Sequence, residues 1–320
     1  MFGLATKKRT LLSILLFVLI FGGLLITATF TDLRVSEILT KNALPAGQYY
    51  ATDFFGVAFE CVGTSPELIV SAVCAAMLTL YFARFYKPGA VRSLLVCLGG
   101  AGTVGLYAWE YNDLFDYICR HFDLTGGRPA FVWGVVGFLA LLSAALTLFA
   151  VNGFSDESLK KLLKFSVVTM ASIIVAVLIV QGLKIPFGRM RYRAMNVIGD
   201  TSGFTRWYVA GGQPDKDWMR ATFGTSDAFK SFPSGHTRAA AATFYLVTLS
   251  EVVGVKSRAK KALLWCFAIV FTGAVALSRI MVGAHFFSDV LVGGTIGFLV
   301  AMLSREIFFF KGAHVKSLKQ

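Results

Sequence analysis

The stretch Phe232-Pro233-Ser234-Gly235-His236 combines residue types that bind anions and transfer protons. Proline is favoured at the start of a helix, and serine and glycine suit its cap. A helix that begins here would point free backbone N–H groups at an anion, and Gly235 would let that anion approach the backbone closely. His236 in the first turn would face the same anion. A capped helix with a solvated histidine is the alternative that this stretch alone leaves open.

Two further groups of residues have complementary chemistry. His285 and Asp289 are four residues apart, so they share one face if both lie on a helix. A carboxylate in that place can accept the imidazole N–H and raise the basicity of the ring, although a structural ion pair between Arg279 and Asp289 is the alternative. Lys184 and Arg191 offer positive charges that suit phosphate oxygens. A basic collar at a membrane surface would also explain these two residues.

The elements that must position these residues are strongly apolar. The chain of 320 residues is 56% hydrophobic and 15% charged, whereas soluble domains average about 25% charged residues. Its charge-free runs approach the length of a membrane-spanning helix and are apolar all round, which excludes a soluble helical bundle. These runs are 10–31, 68–83, 93–109, 129–155, 165–183, 262–278 and 290–304, and a shorter run, 239–250, extends back to Pro233. We therefore expect an all-α, polytopic membrane bundle of about eight transmembrane helices.

The charges of the short loops predict the orientation of the bundle. Eight spans place every basic loop on one side, which the positive-inside rule makes cytoplasmic together with both termini. These basic loops are 7–9, 84–92, 160–164, 256–261 and 311–319. The net charge of +13 therefore reflects topology, and its dispersal does not indicate nucleic acid as a partner. The outer loop 184–232 is nevertheless rich in basic residues, which an anionic ligand would explain.

The predicted topology brings the three groups of residues together. The end of the fifth span, the start of the sixth, the end of the seventh and the start of the eighth all fall at the outer face. Three cations, two histidines and a carboxylate can then converge on one phosphate-binding pocket at the membrane surface.

The complete set of motifs resembles the phosphatidic acid phosphatase type 2 superfamily. The motifs are Lys184-x6-Arg191, Pro233-Ser234-Gly235-His236 and Ser278-Arg279-x5-His285-x3-Asp289. That superfamily includes membrane lipid phosphatases, glucose-6-phosphatase, bacterial acid phosphatases and vanadium haloperoxidases. The resemblance covers about 184–304 and places the phosphatase core in the C-terminal half, whereas 1–160 resembles nothing. One departure is Tyr192, where the superfamily usually has proline.

The resemblance implies a metal-independent phosphatase without a cofactor and gives each motif residue a role. His285 would attack phosphorus and form a phosphohistidine, and Asp289 would hold its imidazole. His236 would protonate the leaving oxygen and then deprotonate the hydrolytic water. The residues expected to hold the phosphoryl oxygens are Lys184, Arg191, Ser234, Gly235 and Arg279.

The expected substrate is a lipid phosphate or diphosphate, because the pocket lies where lipid headgroups sit. Trp207, Tyr208 and Trp218 suit an aromatic belt at that interface. Undecaprenyl diphosphate, phosphatidylglycerol phosphate, phosphatidic acid and lipid A are all candidates, and the sequence does not choose among them. Transfer of phosphate to another lipid, a haloperoxidase, and a non-catalytic transporter or scaffold are the alternatives.

We divide the chain into N-terminal transmembrane helices (1–160), the phosphatase core (161–310) and a basic cytoplasmic tail (311–320). The outer segment 31–67 is expected to contain a short amphipathic helix. Cys61 and Cys119 both fall outside and could pair, but nothing in the sequence pairs them. Arg238 either joins the anion site or pairs with a buried acid.

Overall fold

The computed structural model describes residues 7–121 and 129–310. These two ranges form helices and contain no β-strand, which confirms the all-α prediction. In chain order the helices are α1 (Lys7–Thr40), α2 (Phe54–Val62), α3 (Ser65–Phe85), α4 (Ala90–His121), α5 (Ala130–Asn152), α6 (Asp156–Phe187), α7 (Tyr192–Ile198), α8 (Lys216–Phe223), α9 (Gly235–Ala240), α10 (Phe244–Val252), α11 (Arg258–Met281) and α12 (Phe287–Phe308), with a 3₁₀ turn at Ala241–Thr243.

Helices that are long and apolar enough to cross a membrane dominate the described part of the chain, where seven meet both conditions. Their large apolar side chains face outward, as shown by Ile26, Phe149 and Val270, which are 64%, 80% and 69% exposed. A bilayer covers such surfaces, and the helices satisfy their backbone polar groups internally. The chain is a multi-pass membrane protein.

The eighth expected span forms, but it is broken into three pieces. α9, the 3₁₀ turn and α10 follow one another from Gly235 to Val252, and each is too short to qualify alone. Thr243 Oγ1 donates to the carbonyl oxygen of Ala240 at 2.8 Å within the 3₁₀ turn. Val252 lies beside Ser158 at the start of α6, so this segment traverses the bundle. We call the opposite end, where α6 and α11 finish and α9 and α12 begin, the site end.

Two glycines of α12 set its distance from α9. A Cβ atom at Gly293 would lie 2.3 Å from the carbonyl oxygen of Ser234, and one at Gly297 would lie 2.6 Å from that of Arg238. Neither contact leaves room for a side chain. This close approach fixes the start of α9 against the first turns of α12.

The segment 31–67 contains the expected short helix, although α1 continues further than its apolar run. α1 ends at Thr40 and α2 covers Phe54–Val62. Asp53 caps α2, because its Oδ2 accepts the N–H of Gly56 at 2.7 Å. α2 packs against α11, α3 against α6 and α1 against α12, so the two halves of the chain share one packed interior.

Candidate active site

The predicted nucleophile, His285, lies in the turn between α11 and α12 and is only 2% exposed. Its Nδ1 is 2.5 Å from the carbonyl oxygen of Ser231, so Nδ1 carries the proton that is donated there. Burial lowers the pKa of His285 to about 3; Asp289 raises it, while Arg191, Lys184 and Arg279 lower it further. The ring is therefore neutral at neutral pH, with the lone pair on Nε2 available for attack.

Asp289 contacts His285 less directly than its spacing predicts. Its Oδ2 lies 3.8 Å from Nδ1 of His285, which is beyond hydrogen-bonding distance. The same oxygen instead accepts from Ser231 Oγ at 2.5 Å and from the N–H of Phe286 at 2.8 Å. Asp289 thus fixes the segment whose carbonyl oxygen accepts the imidazole N–H. Its negative charge also favours the protonated form of the ring and so raises the pKa of His285.

A buried arginine connects Asp289 to the first helix. Arg189 Nη1 lies 2.6 Å from Asp289 Oδ1, and Nη2 lies 2.9 Å from Asp32 Oδ2. Asp32 also accepts from the N–H of Ser288 at 2.8 Å. All three charged side chains are 1% exposed or less. The guanidinium stacks 4.2 Å from the ring of Phe286, so this network locks the start of α12 in place.

The predicted phosphate-binding cations fall into two classes. In the described ranges, no carboxylate lies within 4 Å of Lys184 or Arg191, although both side chains are buried. Lys184 Nζ donates to the carbonyl oxygen of Lys230 at 3.2 Å and lies 3.9 Å from where a Cβ of Gly235 would be. Arg191 Nε has no hydrogen-bond partner in this part of the chain. Two buried cations without a carboxylate partner beside the histidine turn can hold an anion.

Arg279 belongs to the second class because it has a carboxylate partner. Its Nη1 lies 2.7 Å from Glu60 Oε1 of α2, which is an ion pair by distance. The angle of that contact is not that of a hydrogen bond, and neither Nη1 nor Nε has a hydrogen-bond partner among the described residues. Arg279 therefore retains N–H donors for a ligand. Arg193 also approaches Glu60, at 3.5 Å, and stacks over Tyr49.

The start of α9 has the predicted form. Ser234 is the N-cap residue, and its Oγ accepts the N–H of Thr237 at 3.3 Å. The N–H of Ser234 donates to the carbonyl oxygen of Asp289 at 3.0 Å, which joins the second and third motifs. His236 follows Gly235, and its Nε2 lies 2.8 Å from the hydroxyl oxygen of Tyr117 in α4.

Tyr192 does not disturb the backbone where the superfamily usually has proline. It is the first residue of α7, and Arg191 before it has an extended conformation with ψ of 147°. Both features are those that proline favours at a helix start. The substitution therefore leaves Arg191 in a backbone conformation that proline would also support.

Two other expectations have clear outcomes, and the expected aromatic belt stays a prediction. Arg238 pairs with the buried Glu67 of α3 and does not join the cations of the site. Cys61 and Cys119 are both free thiols. In the outer loop, Trp207 donates to Thr29 at 2.9 Å. Tyr208 and Trp218 are about half exposed, at 50% and 47%.

A second acid, Asp227, lies close to the unpaired cations. Burial would raise its pKa, but the positive charges of Arg191, Lys230 and Lys184 outweigh that effect and hold it at about 2. Lys230 contacts Asp227 directly at 2.6 Å. Asp227 is therefore ionised at neutral pH and partly offsets the positive potential of the pocket.

An apolar groove of about 270 Å³ opens next to the site. Its lining includes Thr237, which follows His236 in sequence, and Phe287 at the start of α12, and it extends to Phe298 and to Phe17 of α1. Phe298 lies eleven positions after Phe287, which corresponds to about 16 Å of helix, roughly half of the ~30 Å hydrocarbon core.

Four residues of the site region were not singled out from the sequence. These are Asp32, Glu60, Tyr117 and Arg189, of which only Arg189 lies in the basic loop 184–232. Each makes a contact across at least one hundred residues of sequence, so local spacing carries no signal for them.

Comparison with known families identifies the C-terminal part of the chain. Residues 165–313 match the model of the PAP2 superfamily. No curated protein and no solved structure matches the chain. In the described residues, no group of three or more His, Cys, Asp or Glu side chains could hold a metal ion.

Proposed function

The C-terminal half of this chain is a PAP2 superfamily domain, and we propose that the protein hydrolyses a phosphate monoester or diphosphate of a membrane lipid. The observation that carries this proposal is the pair of buried, unpaired cations Lys184 and Arg191 beside the buried and neutral His285. A phosphoryl group supplies the negative charge that these cations lack. It also supplies the electrophile that the imidazole lone pair requires.

In the proposed first step, Nε2 of His285 bonds to phosphorus while the bond to the leaving oxygen breaks. The proton stays on Nδ1 of His285, which donates it to the carbonyl oxygen of Ser231, and this keeps the ring in the attacking tautomer. His236 gives a proton to the leaving oxygen. Lys184, Arg191, Arg279, Ser234 and the Gly235 N–H stabilise the phosphoryl oxygens.

In the second step, water bonds to phosphorus and the phosphohistidine bond breaks. His236 takes the proton that the water loses, which restores its starting state. If another lipid hydroxyl occupied the place of this water, the same steps would transfer phosphate between lipids. Hydrolysis remains our proposal, and the lipid transferase is the alternative.

The apolar groove supports a lipid as substrate. A chain of one acyl or prenyl group would extend from the phosphate beside His236 into the outer half of the hydrocarbon core. Gly273 lines this groove and has no atom within 4 Å of an added Cβ, so Gly273→Leu should fill it. We expect KM for a long-chain lipid phosphate to rise about tenfold, without a change for a short-chain one. Gly134→Leu on exposed α5, where an added Cβ also meets no atom, is the matched control.

Phosphate release from a short-chain lipid phosphate in detergent tests the activity itself. We expect turnover in the presence of EDTA, inhibition by vanadate, and loss of both turnover and phosphoenzyme in His285→Ala. A loss of activity with EDTA that Mg²⁺ restores would contradict the proposed metal-independent chemistry. The absence of any phosphate release by the wild type would favour a transporter or scaffold.

We propose that the protein resides in the cell membrane with the site end on the outer face and both termini in the cytoplasm. The distribution of basic loops supports this orientation. A single cysteine at Lys216, introduced after the five native cysteines have been replaced, should react with a membrane-impermeant reagent from outside. Labelling only from the cytoplasmic side would reverse the orientation.

A further inference from the structure

The hydrogen bond between Tyr117 and His236 joins the proposed acid–base residue to a helix outside the matched PAP2 segment. The hydroxyl oxygen of Tyr117 lies 2.8 Å from Nε2 of His236, and the two rings meet edge to face at 74°. Tyr117 is on α4 and His236 on α9, so only tertiary packing creates this contact.

The same edge of the imidazole is covered by a second residue of the N-terminal half. A Cβ atom added to Gly63, between α2 and α3, would lie 3.2 Å from Cδ2 of His236. Cδ2 and Nε2 are neighbours in the ring, so Gly63 and Tyr117 together occupy that edge. In the described part of the chain, this leaves the opposite edge, which carries Nδ1, to serve a substrate.

We propose that Tyr117 positions His236 by accepting the N–H at Nε2, so that Nδ1 performs both proton transfers. This inference rests on the proposed function. In the first step the ring of His236 begins as an imidazolium. Its Nδ1–H gives a proton to the leaving oxygen as the bond from that oxygen to phosphorus breaks, which leaves the ring neutral. In the second step the lone pair of Nδ1 takes a proton from the attacking water. The proton on Nε2 stays in place throughout.

The chemistry of the phenol suits this role. A hydroxyl oxygen accepts a hydrogen bond without a negative charge, so it can orient the ring without adding an ionised group beside it. Without the acceptor, the neutral ring could place its single proton on Nδ1 and would then be unable to accept one from water. Tyr117 is held in turn by Arg120, whose guanidinium carbon lies 5.5 Å from the centre of the phenol ring.

The test compares Tyr117→Phe with Tyr111→Phe in the full-length protein. Tyr111 is on the same helix and makes an equivalent hydroxyl contact, 2.7 Å from Ser143 Oγ, so the two variants lose the same atom. Each is assayed for kcat/KM on a short-chain alkyl lipid phosphate, whose alkoxide needs protonation, and on p-nitrophenyl phosphate, whose leaving group does not. The kcat/KM value reports the steps up to formation of the phosphoenzyme.

We expect Tyr117→Phe to lower kcat/KM on the alkyl phosphate about 10–100-fold and on the aryl phosphate less than about threefold. Tyr111→Phe should match the wild type on both. An equal loss of kcat/KM on the two substrates would indicate a structural role for Tyr117. No loss of kcat/KM on the alkyl phosphate would remove Tyr117 from the mechanism. Either result overturns the proposal.

A double variant provides an independent measurement. If Tyr117 acts through His236, adding Tyr117→Phe to His236→Ala should cause no further loss on the alkyl phosphate. A multiplicative loss would contradict the proposal. Failure of the proposed function looks different, because the wild type would then hydrolyse neither substrate.

Discussion

The two halves of the chain carry their polar residues in different ways. In the C-terminal half these residues form motifs, with several neighbours a few positions apart in sequence. In the N-terminal half they lie far apart in sequence, and four of them form contacts with polar residues of the other half. The four contacts join Asp32 to Arg189, Glu60 to Arg279, Glu67 to Arg238 and Tyr117 to His236.

This difference shows what the N-terminal helices contribute. Three of the four contacts give a carboxylate to a buried arginine, and a buried charge without a partner is strongly destabilising. The arginines that remain without a carboxylate include Arg191, which we assign to phosphate. The N-terminal half thereby separates the structural cations of the site region from those that are available to a ligand.

The largest test of this comparison removes the N-terminal half. We expect residues 156–320, expressed alone in membranes, to show no phosphatase activity, because Arg238 and Arg279 would lose their carboxylate partners and Arg189 would lose one of its two. Co-expression with residues 1–152 as a separate fragment should restore part of the activity. A C-terminal fragment as active as the whole chain would show that the contacts across the halves are dispensable.

A single substitution can sharpen the comparison at α1. Asp32→Asn takes one of two carboxylates from the buried Arg189, and we expect a loss of about 1–3 kcal/mol in stability, measured as a lower thermal midpoint in detergent. Asp217→Asn is the control, because Asp217 forms an exposed pair with Arg220 and should change stability by less than about 0.5 kcal/mol. Equal midpoints for the two variants would contradict the role of Asp32.

Two buried arginines should respond in opposite ways. Arg191→Gln should lower kcat about 10²–10³-fold with a small change in stability, because its guanidinium is assigned to the transition state. Arg238→Gln should destabilise the protein by leaving Glu67 unpaired and should leave kcat near the wild-type value. Measuring kcat and the thermal midpoint for both variants distinguishes a ligand-binding arginine from a structural one. A similar loss of kcat in both variants would contradict this distinction.

The smallest expected effect concerns Asp227, which opposes the positive potential of the pocket. Its pKa of about 2 keeps it ionised at neutral pH, so Asp227→Asn should tighten inhibition by vanadate about threefold to tenfold. Because this pKa lies below the usual value, Asp227 stabilises the fold above about pH 4, and that contribution is lost as the pH falls towards 2. Weaker inhibition in the variant would show that Asp227 supports anion binding, which would contradict this prediction.

Much of the candidate site could be predicted because its residues lie in short motifs. The anion-binding start of α9 follows from Ser234 and Gly235, and the facing histidine turn follows from the spacing of His285 and Asp289. The topology predicted from basic loops placed these motifs at one end of the bundle. The hydrogen bond expected between Asp289 and His285 does not form, because Nδ1 of His285 donates instead to the carbonyl oxygen of Ser231. The sequence could not predict this acceptor, which lies more than fifty residues before the histidine.

The sequence by itself determined that the chain is a helical membrane protein, because long apolar runs have no other stable form in a bilayer. It also determined which residue types could form a phosphate site. Only the tertiary structure decided which cations are paired, that His236 meets Tyr117, and that the span from Gly235 is broken at Ala241. These features depend on contacts between helices distant in sequence, where side-chain packing and the pairing of buried charges set the arrangement.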